Sequence, residues 1–333
     1  MSEHKRNVLV VGGAGYVGAV LVPQLLDQGH KVTVLDLYIY GEDLFKDLRG
    51  NPDLREIKGD MRDLATVETA LEGCDAVIHL ACISNDPSFE LDPTLGKSIN
   101  YDSFRPMVQA AKRLGVERFV YASSSSVYGI KEGIVVTEDI SLEPLTDYSK
   151  FKAMCEEILE EERAPGFHTL VVRPATVCGY SPRQRLDVIV NILTNHAVNL
   201  GKVTVLGGAQ LRPNIHIQDM CNFYLNSLQW PAEKIDGKIY NVGDVNYSVR
   251  ELADIVRGVV GEQVQVEVKP TNDNRSYHVS SEAIARDLDF HPTNGIEKAV
   301  KDMVAAFKDG KLPNSLDDIR YYNIKVMQAL NLK

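Results

Sequence analysis

Three glycines, Gly12, Gly15 and Gly18, stand in G-x-x-G-x-x-G spacing directly after a short β-branched run and at the start of a helical pattern. A chain reads this way where a strand must turn tightly into a helix and leave backbone N–H groups facing a pyrophosphate. Taken alone, the triplet also fits a flexible turn. Here the next strand-like run ends in Asp36, 18 residues beyond Gly18, where a carboxylate can accept from a ribose hydroxyl. Together these features point to a dinucleotide site. Asp36 would repel a ribose 2′-phosphate, and Leu37, Tyr38 and Ile39 supply no cation to offset it, which favours NAD over NADP.

Short β-branched runs at 7–11, 31–36, 55–58, 76–80, 118–122 and 169–173 alternate with helical patterns, the mark of βαβ units. The expected fold is α/β: a doubly wound parallel sheet (Rossmann) over residues 1–174, with a smaller C-terminal substrate-binding domain over 175–333 that returns strands to the sheet. The spacing predicts helices over 16–28, over Phe104, Met107, Val108, Ala111 and Leu114, and over Phe151, Met154, Cys155, Ile158 and Leu159. From 174 to 214 Gly, Pro and Arg become frequent and the alternation stops. The last segment, 315–333, places Ile319, Tyr322, Val326 and Leu330 at helical spacing and is expected to form a packed helix.

The 333 residues carry 36 basic and 46 acidic side chains, a net charge of −10, which argues against nucleic acid or an acidic membrane surface as partner. Five cysteines at wide spacing, with no C-x-x-C pair, suggest neither a disulfide framework nor a zinc site and fit a cytoplasmic protein. His216 and Asp219, three apart, are two donors only, and no metal is expected. The apolar run before the glycines is too short for a signal peptide, and no membrane-spanning run is found.

Tyr148 and Lys152 lie one helical turn apart, so an ammonium can sit near a phenol and draw its pKa down toward a value useful for proton removal. Taken alone, such a pair is more often a solvated surface pair. The serine cluster Ser123, Ser124, Ser125 and Ser126 upstream, in a chain with a dinucleotide loop, raises its interest.

With these residues the chain resembles the extended short-chain dehydrogenase/reductases, in their nucleotide-sugar epimerase/dehydratase branch. The resemblance spans nearly the whole chain. It is carried by VVGGAGYVG (10–18), GDMRD (59–63), VIHLAC (77–82), Asn100, YASSSSVYG (121–129), Tyr148-x-x-x-Lys152 and VRPATVCG (172–179). It implies Tyr16 and Val17 in the cofactor loop, Asp60 and Met61 beside the adenine, Leu80, Ala81 and Asn100 along the cofactor, and Lys152 on the nicotinamide ribose. Ser124 falls at the catalytic Ser/Thr position, and a homodimer packed through residues 104–114 and 151–159 is implied.

Tyr148 would then take a proton from a sugar hydroxyl, at C4, while hydride passes to NAD, with Ser124 on the developing oxyanion. Relatives that dehydrate or decarboxylate carry a Glu where this chain has Ser125 and Ser126, so the resemblance favours a 4-epimerase. A 4-dehydrogenase or 4-keto-sugar reductase needs the same residues, and a non-catalytic NAD sensor is a third alternative. The runs SPRQRLDVIVN (181–191) and DNRSYHV (273–279) resemble a subgroup that holds both epimerases and a heptose-nucleotide 4-dehydrogenase-like branch. Arg183, Arg185, Arg212 and Arg275 are guanidinium candidates for the diphosphate of a nucleoside-diphosphate sugar, Arg212 foremost. Ser84, Asn85, Ser125 and Thr176 are candidates for the sugar, Thr176 standing where many relatives have Asn.

Overall fold

The computed structural model describes residues 5–84, 86–131, 133–271, 276 and 278–330. Among the described residues twelve strands run in chain order: β1 (Asn7–Val11), β2 (Lys31–Asp36), β3 (Leu54–Lys58), β4 (Ala76–His79), β5 (Arg118–Ala122), β6 (His168–Pro174), β7 (Thr176–Cys178), β8 (Lys202–Leu206), β9 (Leu211–His216), β10 (Lys238–Val242), β11 (Asn246–Ser248) and β12 (Gln265–Lys269). Seven form one sheet in the order β10-β6-β5-β4-β1-β2-β3. Every pairing in it is parallel, Val10 lying between Val34 of β2 and Ile78 of β4. The strand order reverses direction around β1, and in such sheets the crevice at the carboxyl ends of the strands receives the ligand.

Parallel strands covered on both faces read as continuous apolar runs, and β1 shows why. Val8 and Val10 join the core beneath the helices Gly18–Asp27 and Ile217–Ser227; Leu9 and Val11 join the opposite core with Phe104, Met107 and Leu159. The chain beyond residue 174 returns β10 to this sheet and builds two smaller ones, β11-β9-β7 and β12-β8. The helices Ile189–Leu200, Val249–Val260 and Gly295–Lys308 pack with β8 through a third apolar cluster. No helix among the described residues is long and apolar enough to cross a membrane.

The two apolar stripes differ in burial, and the expectation for the C-terminal segment needs revision. The stripe Phe104, Met107, Val108 and Ala111 is wholly buried against the parent sheet, as are Cys155, Ile158 and Leu159, whereas Phe151 and Met154 of the second stripe stay half-buried. Leu114 is left exposed. Outside that stripe the two helices are joined by ion pairs, Arg105 and Lys112 to Glu162 and Arg105 to Glu161. The C-terminal segment is not one helix. A 3-10 turn, Ile319–Tyr321, is started by the Asp318 carboxylate accepting from the Arg320 N–H, and the helix Asn323–Ala329 follows. Tyr322 and Val326 are buried as the spacing suggests, but Ile319 points outward.

Candidate active site

A cleft of about 460 Å3 opens at the ends of β1, β2, β4 and β5, lined by Val11, Asp36, Leu80 and Ala122 among others. Its floor is the glycine loop. Gly12 has φ +81°, and a Cβ there would stand 2.6 Å from the Ala81 backbone; one on Gly18 would lie 2.2 Å from the Gly13 carbonyl oxygen. Only glycine lets these segments approach so closely. The helix Gly18–Asp27 that follows has no side-chain cap and no acidic residue in its first turn, so its positive end is left to a ligand's negative charge. Asp36 closes one end of the cleft. One carboxylate oxygen accepts from the Ala14 N–H (2.9 Å) and the other from the Tyr38 N–H (2.8 Å). Burial pushes its pKa up, opposed by those two bonds and by the charge of Arg183. That arginine, distant in sequence, supplies near Asp36 the cation that the residues following Asp36 lack.

Met61, Leu80, Ala81, Gly15, Val17 and Tyr16 also line the cleft. The Tyr16 hydroxyl is turned away from ligand duty: it donates to the Gly179 carbonyl (2.7 Å) and accepts from the Asn191 amide (3.0 Å), tying the loop to the second half of the chain. Asp60 accepts from the Arg62 guanidinium at 2.6 to 3.1 Å; burial raises its pKa, but the bonds to Arg62 hold it below the usual carboxylate range. Asn100, expected along the cofactor, is buried with both amide atoms on Ile83, accepting from its N–H (2.8 Å) and donating to its carbonyl (3.0 Å). It fixes the segment after β4 and is not part of the cleft wall.

Ser124, Tyr148 and Lys152 are brought together in the cleft. The helix Asp147–Glu161 is started by a reciprocal cap between Thr146 and Ser149, and Thr146 also donates to Asp86 (2.6 Å), which lines the same cleft. Tyr148 and Lys152 fall on the inner face one turn apart. The buried Lys152 ammonium donates to the Ala122 carbonyl (2.6 Å) and sits 4.9 Å from the Tyr121 ring centre and 6.0 Å from that of Tyr148. Ser124 leaves β5 extended; its hydroxyl bonds Tyr148 and lies 2.8 Å from that of Ser126. Behind it, Ser123 donates to Glu156, whose carboxylate is forked by Arg173 (2.6 to 3.2 Å), a buried pair that locks the ends of β5 and β6.

The Tyr148 pKa is not depressed as the Lys152 spacing suggested. Burial raises it and the Cys82 thiol adds to the rise, while Arg185 and the Ser124 hydrogen bond pull it back. The ammonium is spent on the Ala122 carbonyl, and the lowering cation is Arg185.

Of the substrate candidates, Ser84, Ser125, Thr176, Arg183, Arg185 and Arg212 line the cleft. Arg185 is oriented by Asp187 (2.6 Å), and Arg212 donates to the Leu211 carbonyl (3.1 Å). Asn85 and Arg275 lie outside the described residues. His216 caps the helix Ile217–Ser227 through its ring nitrogen and meets Asp302 (3.2 Å), and Asp219 accepts from Thr293 and Asn294. Both are structural. Among the polar cleft residues that sequence reading missed are Tyr40, Asp86 and Asn323. Asp86 was visible only as a turn residue, and nothing in the sequence places Asn323 at the other end of the chain here.

A strand–glycine–helix floor, an acidic residue closing the next strand and a buried lysine behind the cleft fit a dinucleotide. Residues 8–243 match the NAD dependent epimerase/dehydratase family. The chain is 28% identical over 283 residues to a UDP-glucose 4-epimerase from Lactobacillus helveticus, covering 79% of this chain and 84% of that one. It is 30% identical over 300 residues to a dTDP-glucose 4,6-dehydratase from Streptomyces griseus, covering 86% and 89%. Among solved structures, a UDP-glucose 4-epimerase from Thermotoga maritima with UDP-glucose superposes with a TM-score of 0.81 at 24% identity, covering 91% of this chain and 99% of that one. A dTDP-glucose 4,6-dehydratase from Streptomyces venezuelae, with NAD and TYD bound, gives 0.82 at 24% identity, covering 93% and 100%. With its glycine floor, its Tyr148–Lys152 helix and this breadth of match, the chain belongs to the NAD-dependent epimerase/dehydratase family of extended short-chain dehydrogenase/reductases, and its cofactor is NAD.

Proposed function

We propose that the protein is a nucleoside-diphosphate-sugar epimerase that inverts C4 through a transient 4-keto sugar. The observation that carries this reading is the serine run after β5: Ser125 and Ser126 line the cleft beside Ser124, where elimination of water would require proton-transfer groups. Bound NAD supplies the hydride acceptor for the first half-reaction and the donor for the second. Gly12, Gly15, Val17 and Gly18 hold its pyrophosphate, Asp36 its adenosine ribose, Asp60 and Met61 the adenine side, and Lys152 its second ribose. Tyr148 takes the proton of the sugar hydroxyl, and the Ser124 hydroxyl donates to the oxygen as it becomes a ketone. Arg185, close enough to act on Tyr148, favours the phenolate while that proton is held. Arg212 receives the diphosphate, and Ser84, Ser125 and Thr176 face the sugar.

Epimerisation also requires the keto sugar to present its other face to the same cofactor, so the cleft must hold the nucleotide firmly and the hexose loosely. Crowding serines and a threonine, with no carboxylate pair at the β5 end, suit that. The test is to incubate the purified protein with UDP- and dTDP-linked hexoses and follow the products by proton NMR. Inversion at C4 is expected; a 4-keto-6-deoxy product would overturn the reading. Loss of hydrogen from C4 to solution as reduced cofactor would support the 4-dehydrogenase alternative, which uses the same three side chains. Association into a homodimer is part of the proposal, through the outer faces of the helices Phe104–Arg113 and Asp147–Glu161, where charged side chains flank the half-buried Phe151 and Met154.

A further inference from the structure

We propose that Tyr40, Arg183, Asn323 and Ser84 form a clasp across the cofactor groove that retains the dinucleotide between turnovers; the inference rests on the epimerase reading for its purpose, not for its geometry. In the sheet β1 lies between β2 and β4, so the glycine loop is flanked by the segments that follow those two strands. Tyr40 follows β2 and Ser84 follows β4. Two residues from elsewhere join them. The Arg183 guanidinium lies flat on Tyr40, 3.4 Å from the ring centre, and donates to the Asn323 side-chain oxygen (2.6 Å); the Asn323 amide donates to the Ser84 hydroxyl (2.7 Å). All four line the cleft. A dinucleotide lying from Asp36 past Gly12 and Gly15 would share this cleft with the four side chains and pass under their bridge.

The bridge is fastened from behind. The Asn323 backbone N–H donates to Asp187 (2.9 Å), whose other oxygen holds Arg185 (2.6 Å), and the Leu186 N–H donates to the Tyr321 carbonyl (2.8 Å). The C-terminal segment is thereby stitched to residues 183–187. Arg183 is only 6% exposed, yet its Nε–H has no hydrogen-bond partner among the described residues. An orphaned buried donor is costly, and a phosphate or ribose oxygen in the groove would complete it. An enzyme that must return hydride to the sugar it came from has use for such a clasp, whereas one that exchanges cofactor every turnover does not.

The test needs no sugar. Protein loaded with radiolabelled NAD is chased with excess unlabelled NAD and release is timed by rapid filtration, for the unsubstituted chain and for Arg183→Ala and Asn323→Ala. Circular dichroism melting shows which variants are folded, and Asn323→Ala carries the test if Arg183→Ala is not. Release from the folded variants is expected to be faster by about tenfold or more. Equal release rates, or exchange by the unsubstituted protein within the mixing time, would overturn the clasp. Failure of the epimerase reading is separate: it shows as absence of C4 inversion whatever the release rate.

Discussion

At the scale of single residues, the central group is Tyr148, and burial works against its ionisation. Phenolate therefore accumulates as pH rises, and kcat should rise with it. Tyr148→Phe keeps the ring packed against Phe89 but removes the base, so kcat should fall about 10²- to 10⁴-fold while NAD remains bound, as read by turnover and by cofactor released on denaturation. Arg185 lowers the Tyr148 pKa. Arg185→Ala should then move the rising limb of the pH–rate profile to higher pH, and an unmoved limb would show that its charge does not reach the phenol. Much of this site was legible in the sequence, because the tyrosine, the lysine and the serines sit at fixed local spacing on one helix and one strand end. What was not legible is tertiary: that Lys152 is taken up by the Ala122 carbonyl, that Asn100 props Ile83, and that Asn323 arrives from the far end of the chain.

At the scale of elements, β4 carries an unusual load. His79 is buried among Phe104, Phe119 and Tyr121, and neither ring nitrogen finds a partner in another of the described residues. Burial, with the nearby Lys152 charge, lowers its pKa from 6.5 to about 3. The folded protein thus keeps His79 neutral while the unfolded chain takes up a proton, so stability is lost as pH falls from 6.5 toward 3. The loss from this group is about 2 kcal/mol by pH 5. Urea unfolding at several pH values should show it, and His79→Phe should flatten that part of the curve even if the larger ring costs some packing. The six strand runs expected from the sequence all fold as strands, within one residue at each end; five are apolar because both their faces are covered, while β3 is the more exposed edge strand. The C-terminal segment was misread for a local reason: Asp318 begins a separate turn inside a pattern whose apolar period continues through it.

At the scale of the whole molecule, the −10 charge is spread over a fold whose cleft nevertheless gathers Lys152, Arg183, Arg185 and Arg212. Local focusing of this kind lets an acidic protein hold a ligand with two phosphate charges. Sedimentation equilibrium should report a dimer whose association weakens as salt rises, since the outer faces of the two candidate helices are charged; a monomer at every concentration would remove the dimer. The parallel sheet was readable because alternation is a long-range signal repeated six times, whereas the small sheets β11-β9-β7 and β12-β8 join short strands with no common period. The central claim is that hydride leaves C4 and returns to C4. A nucleotide sugar deuterated at C4 tests it directly: the inverted product should keep its deuterium at C4 with no build-up of reduced nicotinamide. Deuterium found at C6, or lost into free reduced cofactor, would contradict the account.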